Sequence, residues 1–334
     1  MRFALPQSGR TQLIFLVAAL VAASAVVKHM TPASLLPLPE RPFAATGNPL
    51  VRIGYSSYPR HATGADDVQT TVGAPPHRLV SQSSSTDEFL YTVVPPERVV
   101  GVSENAYRES ISNVYALAQR YHPTVALDPE RVLRLEPDLV FTPAAARSDL
   151  PALLRAAQLP VYRMQTAFET LASIEAHIHL VGYLTGEDTR ADSEACRFRA
   201  VVRRAARRKP AGARSPRVMG FGGIYSYGSK TLFNDILRVL GAENVAARHG
   251  FVGYDRVTDE HIVRWNPEWI VAGADRGRVE QVRAHLLANP AVAVTTAGRL
   301  RQVVVFENHV FLALSPFTAQ LIEALGDALY GGRS

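Results

Sequence analysis

The sequence predicts an α/β chain of two similar lobes with parallel sheets, joined by long helices. Three observations carry that reading. The first is a repeat: "LDPERVLRLEPDLVF" at 127–141 returns as "VTDEHIVRWNPEWIV" at 257–271. Glu130 matches Glu260, Arg134 matches Arg264 and Pro137 matches Pro267, at a constant offset of 260 − 130 = 130 residues. That period is a duplication, too long for a solenoid. The second is the alternation of short apolar strands with helices in both halves, the pattern of parallel pairing with right-handed crossovers. The third is the stretch from about 168 to 209, which has helical periodicity and no strand-forming run. A helical strut there disfavours large domain closure, which extended hinge strands would permit.

The elements follow in order. Residues 51–75, punctuated by Gly64 and Gly73, read as strands or a hairpin. "RLVSQ" (78–82) is a strand, and the hydroxyls of "SSSTDEFLYTV" (83–93) cap the helix that follows. "RVVGVS" (98–103) is the next strand. Asp128 caps a short helix with Pro129 at its first position and Glu130 in its first turn; Pro137 stops it before the strand "DLVFT" (138–142). "PALLRAAQLPVYRM" (151–164) adds a helix and a strand. After the helical stretch, broken at Gly186, "RVMGF" (217–221) opens the second lobe. A loop and helix follow in 227–245, Thr258 caps the helix holding Glu260, and "WIVAG" (269–273) is its strand. "LLANPAV" and "QVVVFE" complete the lobe before the closing helix 315–330.

The boundaries are 51–165 for the first lobe, 166–212 for the helical connection and 213–332 for the second lobe. Before them, Arg2 and Arg10 precede "LIFLVAALVAASAVV" (13–27), an apolar run of 15 residues. About 20 are needed to span a bilayer, so 1–27 reads as a secretory signal cleaved after Ala25, with an uncleaved inner-membrane anchor as the alternative. Residues 28–50, rich in proline and small residues, form a linker. Export to the periplasm is expected. Cys196 is the only cysteine, so no intrachain disulfide is available.

The net charge of +6 is almost all arginine, with Lys28, Lys209 and Lys230 the only lysines. No base-reading motif accompanies it, and nucleic-acid binding is not expected. "GFGGIYSYG" (220–228) follows a strand but puts Tyr225 where a dinucleotide fingerprint needs its third glycine. It reads instead as a ligand-facing loop presenting Tyr225 and Tyr227. The 10 histidines are scattered; His177 and His179, two apart on a helix, point to different faces, and no metal site is expected. No nucleophile elbow is present. Tyr107, Tyr121, Tyr225, Tyr227 and Tyr254 all fall in loops at strand ends, where open α/β sheets bind ligands. Trp265 and Trp269 read as core of the second lobe. Each repeated glutamate is explained by the helix dipole alone, which does not require both at equivalent positions.

From about Tyr58 to Tyr330 the chain resembles the substrate-binding proteins of ABC importers for ferric siderophores, haem and cobalamin, the class with a helical backbone. Five segments carry the resemblance in register: "YPRHATGADDVQTTVGAPPHRLVSQSSSTDEFL", "PERVVGVS", "LDPERVLRLEPDLVF", "GSKTLFNDILRVLGAENVA" and "VTDEHIVRWNPEWIVAG". The family domain would cover about 77–331. The resemblance implies two Rossmann-like lobes, a ligand cleft between them and no cofactor. It implies that Glu130 and Glu260 dock onto arginines of a membrane permease. It places Tyr107, Tyr121, His122, Tyr225, Tyr227 and Tyr254 in the ligand loops. Arg147 or Arg276 would meet ligand carboxylates or catecholates. "VPPERV" (94–99) and 104–126 depart from the common form, and both lie near the cleft.

The expected function is capture of a ferric siderophore and delivery to a permease and its ATPase by a monomeric, non-enzymatic protein. Cobalamin or haem is the alternative in the same role. A redox or cofactor enzyme on the same scaffold, or a membrane-anchored sensor, are the readings of other classes.

Overall fold

The computed structural model describes residues 57–121, 128–145 and 149–331. A hairpin of β1 (Arg60–Thr63) and β2 (Gln69–Val72) leads in. The first lobe is a four-stranded parallel sheet in the order β4-β3-β5-β6, from β3 (Leu79–Ser81), β4 (Val99–Gly101), β5 (Leu139–Pro143) and β6 (Val161–Met164). Its helices are α1 (Ser84–Val93), α2 (Tyr115–Tyr121), α3 (Pro129–Arg134) and α4 (Leu150–Ala156). Ser83 caps α1 and shares a capping box with Thr86, as the hydroxyl run predicts.

Two long helices follow, α5 (Leu171–Thr185) and α6 (Asp188–Ala205), packed against each other. Gly186 turns the chain between them at φ 78, a left-handed conformation that glycine adopts at no steric cost. The Asp235 carboxylate of the second lobe accepts the amide of Leu171 at 2.9 Å. At the other end a buried pair, Arg60 to Asp188 at 2.8 Å, ties the entry hairpin to the start of α6. The largest core runs through these helices from lobe to lobe, holding Leu90, Ile178, Phe198 and Leu321.

The second lobe has a six-stranded sheet, β10-β8-β7-β11-β12 with β9 beside β7. Its strands are β7 (Arg217–Phe221), β8 (Tyr225–Tyr227), β9 (Glu243–Asn244), β10 (Tyr254–Arg256), β11 (Trp269–Ala274) and β12 (Val303–Glu307). Its helices are α7 (Leu232–Val239), α8 (Val245–Arg248), α9 (Asp259–Trp265), α10 (Val279–Ala288), α11 (Pro290–Ala293), α12 (Thr296–Arg299), α13 (Asn308–Phe311) and α14 (Thr318–Tyr330). The wholly parallel sheet expected here is corrected: β8 runs antiparallel to β7 and to β10. Gly223, at φ 83, lets the chain reverse after β7. β8 and β10 carry polar Ser226, Asp255 and Arg256 where the equally short β3 and β4 have apolar runs, so neither gives a strand signal in the sequence.

The repeat survives in the placement of its elements. β5 and β11 start at 139 and 269, and α3 and α9 at 129 and 259, all 130 apart. Val132 and Ile262 are the buried anchors of the two short helices. Each helix ends on a left-handed residue before its proline, Glu136 at φ 45 and Asn266 at φ 44. The acids after the prolines then hold the first strand of each lobe. Asp138 accepts the amides of His77 and Arg78 at 2.6 and 2.9 Å, and Glu268 accepts that of Arg217 at 2.9 Å. The Arg78 and Arg217 guanidiniums reach back to the last carbonyls of α3 and α9, Leu135 and Trp265. Much of the echo is thus a lobe-building device.

Candidate binding cleft and repeated surface helices

The first lobe's sheet is parallel, and the parallel strands β7, β11 and β12 form the centre of the second. Three contacts join segments that follow strands of one lobe to segments that follow strands of the other. The Asn113 side chain donates to the His309 carbonyl at 2.7 Å, Ser315 donates to the Glu88 carboxylate at 2.5 Å, and Arg276 pairs with Glu109. In open α/β sheets the C-terminal edge is where ligands bind.

Glu88 is 2 % exposed. Its Oε1 accepts both the backbone and side-chain N–H of Asn113, and its Oε2 meets Ser315. Burial, with neighbouring Asp87 adding to it, pushes Glu88 up to about 7 against these hydrogen bonds. Asp87, fully buried and held by the Ser103 amide and hydroxyl, is pushed up to about 6 by burial. Sequence reasoning missed both. The available signal was two adjacent acids in a helix that otherwise buries Phe89, Leu90 and Val93.

The aromatic candidates divide. Tyr225 and Tyr254 are half-buried on the antiparallel extension of the second sheet, not in loops as expected. Burial pushes the Tyr254 hydroxyl up to about 12. Tyr227 is 6 % exposed, wedged against Phe233, Phe311 and the ring of Tyr254, so it supports Tyr254 from beneath. A side chain at Gly220 would strike Tyr227 and Phe233 at 2.6 and 2.7 Å, which explains that glycine. Tyr107 lies in a 3-10 turn after β4, its hydroxyl donating to the Ala118 carbonyl at 3.0 Å. Tyr121 ends α2, a helix and not a loop, because 115–121 winds continuously. His122 and Arg147 lie outside the described residues. Arg276 stands at the cleft edge just after β11.

On α3 and α9, Glu130 and Glu260 are exposed. The Glu130 amide is taken by the Asp128 cap at 3.0 Å. The Glu260 carboxyl is held below the usual range by the Thr258 hydroxyl first, then by its own amide. Three residues on, Leu133 and Val263 are exposed too, at 41 % and 47 %. Each helix therefore shows a carboxylate and an apolar side chain on one face.

Neither tryptophan reports on the cleft. Trp265, the last residue of α9, stacks with His249 and His261, and Trp269 begins β11, at the edge away from the cleft. A cavity of about 390 Å³ near Trp269, Leu300 and Tyr330 lies at that far edge and is not the cleft.

Residues 79–309 match the model of the periplasmic binding protein family. The chain belongs to that family. Among its relatives, a cobalamin-binding protein of Halobacterium salinarum is 26% identical over 259 residues, 76% of this chain and 70% of the relative. An uncharacterized ABC transporter substrate-binding lipoprotein of Bacillus subtilis is 25% identical over 224 residues, 64% of this chain and 69% of that protein. The crystal structure of a periplasmic haem-binding protein from Pseudomonas aeruginosa superposes with a TM-score of 0.66 at 25% identity, covering 78% of this chain and 94% of that one. The periplasmic binding protein fold of two α/β lobes thus has its expected form here. No helix among the described residues is long and apolar enough to cross a membrane, and residues 13–27 lie outside them.

Proposed function

We propose that this chain is the substrate-binding component of an ABC importer, capturing a metal chelate between its lobes and handing it to a membrane permease. The observation that carries the reading is the pairing of two features. Tyr225 and Tyr254 are half-buried on the paired strands β8 and β10, and Arg276 follows the C-terminal end of β11. Glu130 and Glu260 stand exposed, with matching apolar neighbours, on equivalent helices of the two lobes. The first set offers aromatic area and one cation to a bulky ligand. The second offers a duplicated face to a partner with two similar halves, through charge-assisted pairs.

Binding, not covalent chemistry, is the activity, in keeping with relatives described as binding and transport proteins. A ferric siderophore, cobalamin and haem are the candidate cargoes. The names of the Halobacterium and Pseudomonas relatives favour cobalamin or haem. Export by residues 1–27, the linker 28–50, a monomeric state and a partner ATPase complete the proposal. Calorimetric titration of the full chain with hemin, cyanocobalamin and a ferric siderophore panel tests it, since the tryptophans are remote. Binding of one class is expected; heat from none of them would overturn capture.

A further inference from the structure

Glu109 and Arg276 meet from opposite lobes, 167 positions apart. Glu109 follows the 3-10 turn after β4, and Arg276 follows β11, so each leaves the cleft edge of its own sheet. The two side chains are 50 % and 57 % exposed. They are not the only tie between the lobes among the described residues. Glu88–Ser315 and Asn113–His309 join the lobes from more buried positions, and the continuous core runs behind them. A water-exposed ion pair is weakly held and readily exchanged. The neighbouring Asp275 is already engaged by the Asn308 side chain at 3.0 Å, so it does not replace Glu109. An arginine fork accepts a carboxylate in two parallel hydrogen bonds, whichever molecule supplies it.

We propose that Arg276 anchors an acidic group of the cargo and that Glu109 is its tethered competitor, so that the cleft selects chelates whose carboxylate can displace Glu109. The inference rests on the capture reading and adds the charge class of the ligand. A neutral chelate leaves the Glu109–Arg276 pair intact and gains nothing from it. A dicarboxylate opens the pair and takes Arg276 for itself.

The test uses hemin, which carries two free carboxylates, and cyanocobalamin, which carries none, titrated into the full chain. Glu109→Gln removes the competitor and should tighten hemin by about two- to fivefold at low salt. The gain should shrink near about 0.5 M salt, where exposed charges are screened. Arg276→Gln should weaken hemin, and the double variant should match Arg276→Gln alone, because Glu109 acts only through Arg276. Hemin affinity that is unchanged or lowered by Glu109→Gln would show the pair to be a strut and overturn the proposal. A wild-type chain that binds cyanocobalamin but not hemin would overturn it while leaving capture standing. A chain that binds neither probe nor any siderophore would overturn both.

Discussion

Glu88 in α1 and Ser315 just before α14 share a 2.5 Å hydrogen bond across 227 positions of sequence. It joins the two lobes, and among the described residues no cation is paired with Glu88. Because Oε1 already accepts two N–H groups from Asn113, a proton taken up by Glu88 resides on Oε2, facing Ser315.

That arrangement makes stability depend on pH in a definite direction. Glu88 and Asp87 both hold a proton more readily in the folded chain than in the unfolded one. Their contribution is complete below their ordinary values of 4.5 and 3.8, and is lost as pH rises through about 6 for Asp87 and about 7 for Glu88. Glu88→Gln, a neutral mimic of the acid, should flatten this dependence. The rise of Glu88 from 4.5 to about 7 sets an upper bound of about 3 kcal/mol on its relative gain at alkaline pH. Chemical denaturation of both chains from about pH 5 to pH 8 reads the difference. Parallel curves would remove Glu88 as the cause.

Charge reversal at Glu130 and Glu260 together should abolish transport in cells while leaving cargo affinity of the purified chain unchanged. Leu133→Ser with Val263→Ser should weaken association with the permease in the same way, since both apolar side chains are exposed beside the glutamates. Lost cargo affinity in the charge-reversed chain would count against a docking role.

Glu136 occupies the left-handed region at φ 45, where its repeat partner is Asn266. Asparagine adopts that conformation several-fold more readily than glutamate. Glu136→Asn should therefore raise unfolding free energy by on the order of 1 kcal/mol. Urea denaturation checks this, and a loss of stability would contradict the strain.

Asp138 receives two backbone amides that begin the first lobe's sheet, and Glu268 one that begins the second. Asp138→Ala should cost about 2 kcal/mol, as for hydrogen bonds to a charged group. Glu268→Ala should cost less through its amide but also release Arg214 and Arg217. Melting by circular dichroism would show it, and an unaltered transition would deny these acids their lobe-building role.

The sequence by itself determined the two-lobe plan, because its signals are local. Asp128 and Thr258 as caps, Pro137 and Pro267 as stops, and the alternation of apolar strand and helix each act within a few residues. The 130-residue echo then carried that local reading from one lobe to the other. What only the tertiary structure decided depends on groups brought together from far apart. Tyr225 and Tyr227, two apart on one strand, share a face, yet packing against Phe233 and Phe311 buries Tyr227 and leaves Tyr225 half-open. Nothing adjacent to Glu88 announces Ser315, and nothing adjacent to Arg276 announces Glu109. Those pairings cross between lobes, where the fold of the whole chain sets the distance and hence the burial and electrostatics of each group.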